Sequence, residues 1–144
     1  MRAAAPWILL MLAPLAAAQT SDLADRLQRF DADRGSLYRT YPVDLSERRA
    51  DRLKSFLQTE SQNLQAVDFG KLNAEGQVDY VLFKAYLKHE LRRLDIEKGY
   101  RQGTAPYLPF AETIVTLEET RRRFEWLDSE KTASQLNALA KDVK

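Results

Sequence analysis

The stretch VDYVLFKAYLKHELRRLDI, residues 78–96, places apolar side chains on two sides of one helix. At about 100° per residue, one apolar set falls together and a second set falls nearly opposite to it. The first set is Val78, Val81, Leu82, Ala85 and Ile96, and the second is Phe83, Leu87, Leu91 and Leu94. A helix that is apolar on two faces is typical of one packed between neighbours. This stretch therefore predicts the central helix of an all-α domain.

Apolar residues recur at helical spacing along nearly all of residues 19–144, and no run alternates in the manner of a strand. We predict about five helices packed as an antiparallel bundle or array with short connections. Pro42 ends the first helix. Asp44 and Glu47 resemble a capping box for the second helix. Asn73 caps the third helix, which we expect to run to about Lys98.

The sequence KGYRQGTAPYLP, residues 98–109, is predicted to be a loop because it contains two glycines and two prolines. Three aromatic residues near it, Tyr100, Tyr107 and Phe110, have two interpretations: they anchor the loop in the core, or they contact a ligand. A fourth helix follows this loop. Asp128 can cap a fifth helix.

The only histidine of the chain, His89, projects with the first apolar set and is followed by Glu90. His-Glu begins the zinc-peptidase motif H-E-x-x-H, but Arg93 stands where the second histidine belongs. A catalytic zinc site takes three protein ligands, and this chain has no second histidine and no cysteine. We therefore interpret His89 as a largely buried core residue and predict no metal-ligating residue.

Other catalytic patterns are missing from the sequence. It has no glycine-rich phosphate loop and no G-x-S-x-G elbow, and a Ser-His-Asp arrangement would need His89. Carboxylates are numerous, but no pair stands in a recognisable cleft. The sequence therefore predicts no catalytic residue, no cofactor-binding residue and no activity for this chain by itself.

Residues 1–18 have the pattern of a cleaved signal peptide. Arg2 precedes an apolar run, residues 3–15, and Ala16 and Ala18 are small residues at the positions that a signal peptidase reads. The run is shorter than the roughly 20 apolar residues of a membrane span. We expect an exported protein, periplasmic or secreted, with residues 19–144 as one helical domain and no stable membrane insertion after cleavage.

The charge balance of residues 19–144 argues against nucleic acid as a partner. The whole chain has 22 basic and 21 acidic residues, and removing Arg2 with the signal peptide makes the two numbers equal. Nucleic-acid binding normally needs a basic surplus to neutralise phosphates. The one basic cluster, residues 121–123, has glutamates on both sides and is typical of a salt-bridged helix face.

Three charged residues lie within apolar stripes: Arg34 in the first helix, Glu60 in the second and Arg121 in the fourth. One interpretation is that each extends its charged end to solvent or forms a structural ion pair. The other is that the three form a polar cluster that lines a cavity. The sequence leaves both open.

Several segments resemble the amino-terminal part of the domain of unknown function 885 family, which comprises bacterial, often exported, helical proteins. The resemblance covers nearly all of residues 23–144. Its most characteristic pieces are DFGKL at 68–72, VDYVLF at 78–83, and PF at 109–110 followed by LEETRRR at 117–123. None of these pieces is a catalytic motif.

The resemblance implies a longer protein that is similar to zinc metallopeptidases, with an H-E-x-x-H motif beyond the region matched here. Zinc and a peptide substrate are expected only for such a full-length protein, whose carboxyl-terminal part would be this chain's main partner. The last residues keep a helical pattern up to Lys144 without a glycine or proline stop, which agrees with this expectation. The alternative is a stand-alone periplasmic helical module that binds a protein or a small ligand.

Overall fold

The computed structural model describes residues 21–142, so the predicted signal peptide lies outside the described residues. This part of the chain forms five α-helices and two short 3₁₀ turns and contains no strand, which confirms the all-α prediction. The helices are α1 (Ala24–Thr40), α2 (Glu47–Gln65), α3 (Ala74–Thr104), α4 (Ala111–Arg122) and α5 (Ser129–Asp142), with 3₁₀ turns at Phe69–Lys71 and Ala105–Tyr107.

Helices α1, α2 and α3 run alternately up and down. Three contacts join the α1 segment to the α3 segment: Asp22 with Asn73, Phe30 with Phe83, and Arg34 with Tyr86. The residue numbers increase together along both segments, so the two helices are parallel. Contacts of α2 with α1 and the residue after it advance in opposite directions: Tyr41 with Arg48, Tyr38 with Arg49, and Phe30 with Phe56. Since α1 is parallel to α3 and antiparallel to α2, α2 and α3 are also antiparallel.

The core lies where these three helices meet. Its buried members all come from α1, its N-cap, α2 and α3: Leu23, Phe30, Leu53, Leu57, Leu64, Phe83, Leu87 and Leu94. The Phe30 ring stacks on Phe56 with centroids 5.1 Å apart and meets Phe83 edge-on at 4.8 Å. Aromatic pairs in these geometries stabilise a fold beyond the area they bury, by about 0.5–1.5 kcal/mol each.

Side-chain caps fix the starts of α3 and α5 where the sequence predicts them. The Asn73 side chain accepts a hydrogen bond from the Gly76 backbone at 2.7 Å, and Asp128 accepts one from the Lys131 backbone at 3.0 Å. The cap of α2 is different from the prediction. Ser46, not Asp44, accepts from the backbone of residue 49, because the chain turns once more at 43–46 before the helix begins.

Helix α3 is longer than predicted. It continues through Gly99 and Gly103 to Thr104, so the first half of the predicted loop is helical. A glycine costs a helix only about 1 kcal/mol relative to alanine. Pro106 is a stronger stop, because proline lacks the backbone N–H and its ring clashes with the carbonyl four residues earlier. The helix accordingly ends just before this proline.

Helices α4 and α5 lie outside the core. No side chain within residues 111–141 is buried. Helix α4 is tied to the start of α2 by the buried Ser46 hydroxyl, which donates to the carboxylate of Glu119. None of the helices in residues 21–142 is long and apolar enough to cross a membrane.

Candidate binding surfaces

The first surface is an exposed apolar band on α3, which we call the α3 stripe (Val78, Val81, Leu82, Ala85 and Ile96). The core-facing set of α3 packs as predicted, with Leu87 only 1% exposed. The α3 stripe is not covered by any neighbour within residues 21–142. Leu82 is 62% exposed, and the other large members are also exposed. The prediction that α3 is covered on both faces is therefore wrong for residues 21–142. The helical pattern identifies a face that can be buried, but it does not supply the neighbour.

His89 lies on the stripe side of α3 and is correspondingly exposed. Its side chain is 73% accessible, and its Nδ1 lies 3.3 Å from Oε1 of Glu90. The interpretation of His89 as a largely buried core residue is therefore wrong, for the same reason that the stripe is open. Across residues 21–142, no three His, Cys, Asp or Glu side chains come together in a group that could hold a metal ion.

The three charged residues of the apolar stripes do not form a cluster. Arg34 donates to the Tyr86 hydroxyl on α3 and forms an ion pair with Asp31, 2.6 Å away. Glu60 accepts from the Asn63 side chain, one turn along the same helix. Arg121 pairs with a glutamate of α4. Each residue thus has a partner of its own, which agrees with separate structural contacts and not with one polar cluster that lines a cavity.

Two of the three aromatic residues near residues 98–109 are open to solvent. Tyr100 and Tyr107 are exposed, whereas Phe110 is half-buried at the start of α4. Core anchoring is therefore wrong for the two tyrosines. Tyr100 lines a cleft of about 560 Å³ between α1, α2 and α3, which also contains Arg93 and Arg49. Both of these arginines are already held in ion pairs with carboxylates.

The second surface is a concave, strongly basic one, which we call the arginine cleft. It has a volume of about 470 Å³ and lies between the α1–α2 connection and the end of α4. Five of its lining residues are arginines: Arg39, Arg48, Arg121, Arg122 and Arg123. Tyr41, Pro42, Val43 and Phe124 supply its apolar lining, and Glu119 is its one acidic lining residue.

The arginines of α4 are paired with glutamates of the same segment. Glu118 accepts from Arg121 and Arg122, and these hydrogen bonds lower the pKa of its carboxyl to about 2. Glu125 accepts from Arg123, which lowers the pKa of its carboxyl as well. These contacts agree with the predicted salt-bridged helix face.

Neither of the other two arginines of the cleft forms an ion pair with a carboxylate of residues 21–142, although the charge of Arg48 contributes to the lowered pKa of the Glu125 carboxyl. The Arg39 guanidinium donates to the Ser36 hydroxyl at 2.9 Å. The Arg48 guanidinium lies over the Tyr41 ring, 5.6 Å from its centroid. Five arginines therefore face three nearby glutamates, at positions 118, 119 and 125, and the cleft keeps an excess of positive charge.

Phe124, at the edge of the arginine cleft, has an unusual backbone. Its φ is 56°, a left-handed conformation that favours glycine. The residue closes α4 in a Schellman motif: its N–H bonds to the carbonyl of Arg121, and the next N–H bonds to that of Thr120. Its side chain is 97% exposed, and Trp126, two residues later, is 83% exposed. Packing within residues 21–142 therefore does not explain a phenylalanine here.

The chain matches none of the protein-family models, curated proteins or solved structures with which it was compared. The resemblance to the domain of unknown function 885 family therefore stays a prediction. The arginine cleft is the feature that sequence reasoning missed. Residues 121–123 signal a basic cluster, but nothing local in the sequence brings residues 39–48 beside it.

Proposed function

We propose that this chain is the helical amino-terminal region of an exported metallopeptidase-like protein of the domain of unknown function 885 family, and that it has no catalytic activity by itself. Zinc and peptide substrate belong, in this proposal, to the full-length protein. The role of residues 19–144 is to supply a helical scaffold on which the rest of the polypeptide packs. Export follows from the signal-peptide pattern of residues 1–18.

The α3 stripe is the observation that supports this proposal. Its members lie along several turns of the longest helix, directly behind the helix face that forms the core. Four of the five members lie together at 78–85, and an exposed apolar patch of this kind marks an interaction surface. The proposed occupant is a set of further helices from the same polypeptide, which would complete the sandwich that residues 78–96 predict.

A second candidate function is a stand-alone periplasmic module that binds a protein or small ligand. The arginine cleft favours it, because its volume of about 470 Å³ lies within the usual range for ligand pockets. In this case the chain would be a stable monomer with cooperative unfolding, and the stripe would stay open without causing self-association.

Thiol labelling separates the two candidates. The chain has no cysteine, so Leu82→Cys introduces a single thiol on the stripe, and Gln58→Cys introduces one on exposed α2. Both should react with a maleimide at similar rates in the 144-residue chain. In the protein translated from the continuing genomic reading frame, we expect Leu82→Cys to react at least about tenfold more slowly and Gln58→Cys to be unchanged.

A stop codon directly after codon 144, followed by unrelated sequence, would contradict the proposal and leave the second candidate. So would a continuing frame without an H-E-x-x-H motif. Equal labelling of Leu82→Cys in the short and long proteins would show that the stripe does not receive the rest of the polypeptide.

A further inference from the structure

We propose that the arginine cleft, with Phe124 and Trp126 beside it, docks the chain on a bilayer that contains anionic phospholipid. This inference is independent of the scaffold role. The cleft would hold phosphodiester head groups, and the two exposed aromatic rings would enter the interfacial layer of the bilayer. The binding is peripheral and requires no membrane-spanning helix.

The guanidinium groups supply the head-group chemistry. Arginine presents a planar fork of donors that fits phosphate oxygens in pairs. Arg39 and Arg48 form no ion pair with a carboxylate of residues 21–142 that a phosphate would have to break, and they come from the two helices that flank the apolar lining of the cleft. The ion pairs of Arg121 and Arg122 with Glu118 are exposed. Exposed pairs of this kind are weak, so a phosphate can take their place at little cost.

The aromatic residues distinguish a bilayer from a soluble anion. Trp and Phe next to basic side chains are typical of segments that lie in the membrane interface. Phe124 is held in a strained backbone conformation with a side chain that is almost fully exposed. A glycine would satisfy the backbone at this position, so the ring itself needs an explanation, and contact with lipid provides one.

Nucleic acid is a weaker fit to the same observations. The arginines form one short cleft, with glutamates 118, 119 and 125 beside it, and residues 19–144 carry equal numbers of acidic and basic residues. A long phosphate backbone would extend past the cleft without a continuous basic track.

The experiment uses Trp126 as its probe. The chain has two tryptophans, so the full chain with Trp7→Phe reports from Trp126 alone. It is titrated with vesicles of phosphatidylcholine, with and without 30% phosphatidylglycerol (about 0.3 mole fraction, a strongly anionic surface). We expect a blue shift of the emission, and quenching by lipids with brominated acyl chains, with the anionic vesicles. The apolar residues 3–15 contribute to binding of both vesicle types, so the difference between the two is the measured quantity.

Two arginine pairs provide matched variants. Arg39→Gln with Arg48→Gln removes the two cleft arginines that form no ion pair with a carboxylate of residues 21–142. Arg29→Gln with Arg52→Gln removes the same charge from exposed positions of the same helices. We expect the first pair to lower the anionic-lipid partition coefficient about 20-fold, and the second pair to lower it only a few fold.

A further variant keeps the proposal testable if the protein with Arg39→Gln and Arg48→Gln does not fold. Phe124→Ser removes an exposed ring and should weaken binding to anionic vesicles roughly fivefold, with unchanged helix content. Equal losses in the two arginine pairs would show general charge attraction and overturn the proposal. The proposal also fails if inorganic phosphate or a single-stranded oligonucleotide produces the same blue shift, or if the anionic and neutral vesicles bind alike.

Discussion

Phe124 is a residue whose side chain is disfavoured by its own backbone conformation. Any non-glycine residue in the left-handed conformation is disfavoured by about 1 kcal/mol, and here the exposed ring recovers nothing from packing. We therefore expect Phe124→Gly to stabilise the end of α4 by about 0.5–1 kcal/mol. Hydrogen exchange of the amides in residues 120–125 should slow by about two- to fivefold.

Phe124→Ala is the control, because it removes the ring and keeps the strain. Faster or unchanged exchange in Phe124→Gly would mean that the ring packs on something that stabilises it. If Phe124 contacts lipid, the glycine variant should bind anionic vesicles less well although its helix is more stable. Such an exchange of stability for function is common at binding sites.

His89 provides a test of the orientation of α3. Its side chain is 73% exposed, so a charge placed there stays in water. We expect both His89→Leu and His89→Asp to change the free energy of unfolding by no more than about 0.5 kcal/mol. Urea melts at neutral pH measure this. A loss of about 3 kcal/mol for the aspartate alone would show a buried position and would reverse the orientation of the helix.

The two faces of α3 should differ sharply in what they contribute to stability. Leu87 is 1% exposed and Leu82 is 62% exposed, although both are leucines of one helix, five residues apart. Leu87→Ala should cost about 3 kcal/mol, because it removes core contacts and leaves a cavity. Leu82→Ala should cost no more than about 0.5 kcal/mol. Equal, large losses in denaturant melts would mean that the stripe is covered in solution, for example by a second copy of the chain.

The ion pairs on α3 predict a pH dependence. Arg93 donates to Glu90, 2.8 Å away, and this hydrogen bond is the largest cause of the lowered pKa of the Glu90 carboxyl. Because the folded-state pKa is below the ordinary 4.5, the stability from the pair is fully present above about pH 4.5. It is lost as the pH falls through the folded-state value.

Glu90→Gln should therefore cost about 1 kcal/mol at neutral pH and progressively less as the pH falls below about 4.5. Urea melts at a series of pH values follow this difference. Arg93→Gln should remove this contribution together with that of the Arg93–Glu97 pair, and the double variant should lose little more than Arg93→Gln alone. A cost of Glu90→Gln that does not change with pH would show that the pair is not formed.

The elements that the sequence predicts correctly depend on local chemistry. Asn73 and Asp128 cap helices through their own side chains, and Pro42 stops α1 wherever the rest of the chain lies. The end of α3 was harder to predict, because two glycines weaken a helix without ending it. The exposure of His89 depends on a neighbour that residues 21–142 do not provide.

A different reason explains why the sequence does not predict the arginine cleft. Its two halves come from residues 39–48 and 119–124, which are distant in the sequence and joined only by the packing of α4 against the start of α2. The triplet at 121–123 is visible in the sequence, but its glutamate neighbours predict only a surface helix. Arg39 and Arg48, which keep the cleft positively charged, belong to ordinary amphipathic patterns.

At the scale of the whole molecule, residues 21–142 divide into a three-helix core and two peripheral helices. Within residues 21–141, every buried apolar residue lies between Leu23 and Leu94, and the Ser46–Glu119 hydrogen bond connects α4 to the start of α2. A helix of 12 residues such as α4 is marginal in water without packing. The carboxyl-terminal third should therefore open without unfolding of the core.

Hydrogen exchange followed by mass spectrometry tests this division. We expect amides in residues 53–64 and 83–94 to exchange only through global unfolding, because their side chains form the core. Amides in residues 111–141 should exchange about 100-fold faster or more, since local opening there exposes no buried side chain. Ser46→Ala should accelerate exchange in α4 further and leave α3 nearly unchanged. Uniform protection along the chain would contradict the division, because α4 and α5 would then have to be covered by contacts that residues 21–142 do not make among themselves.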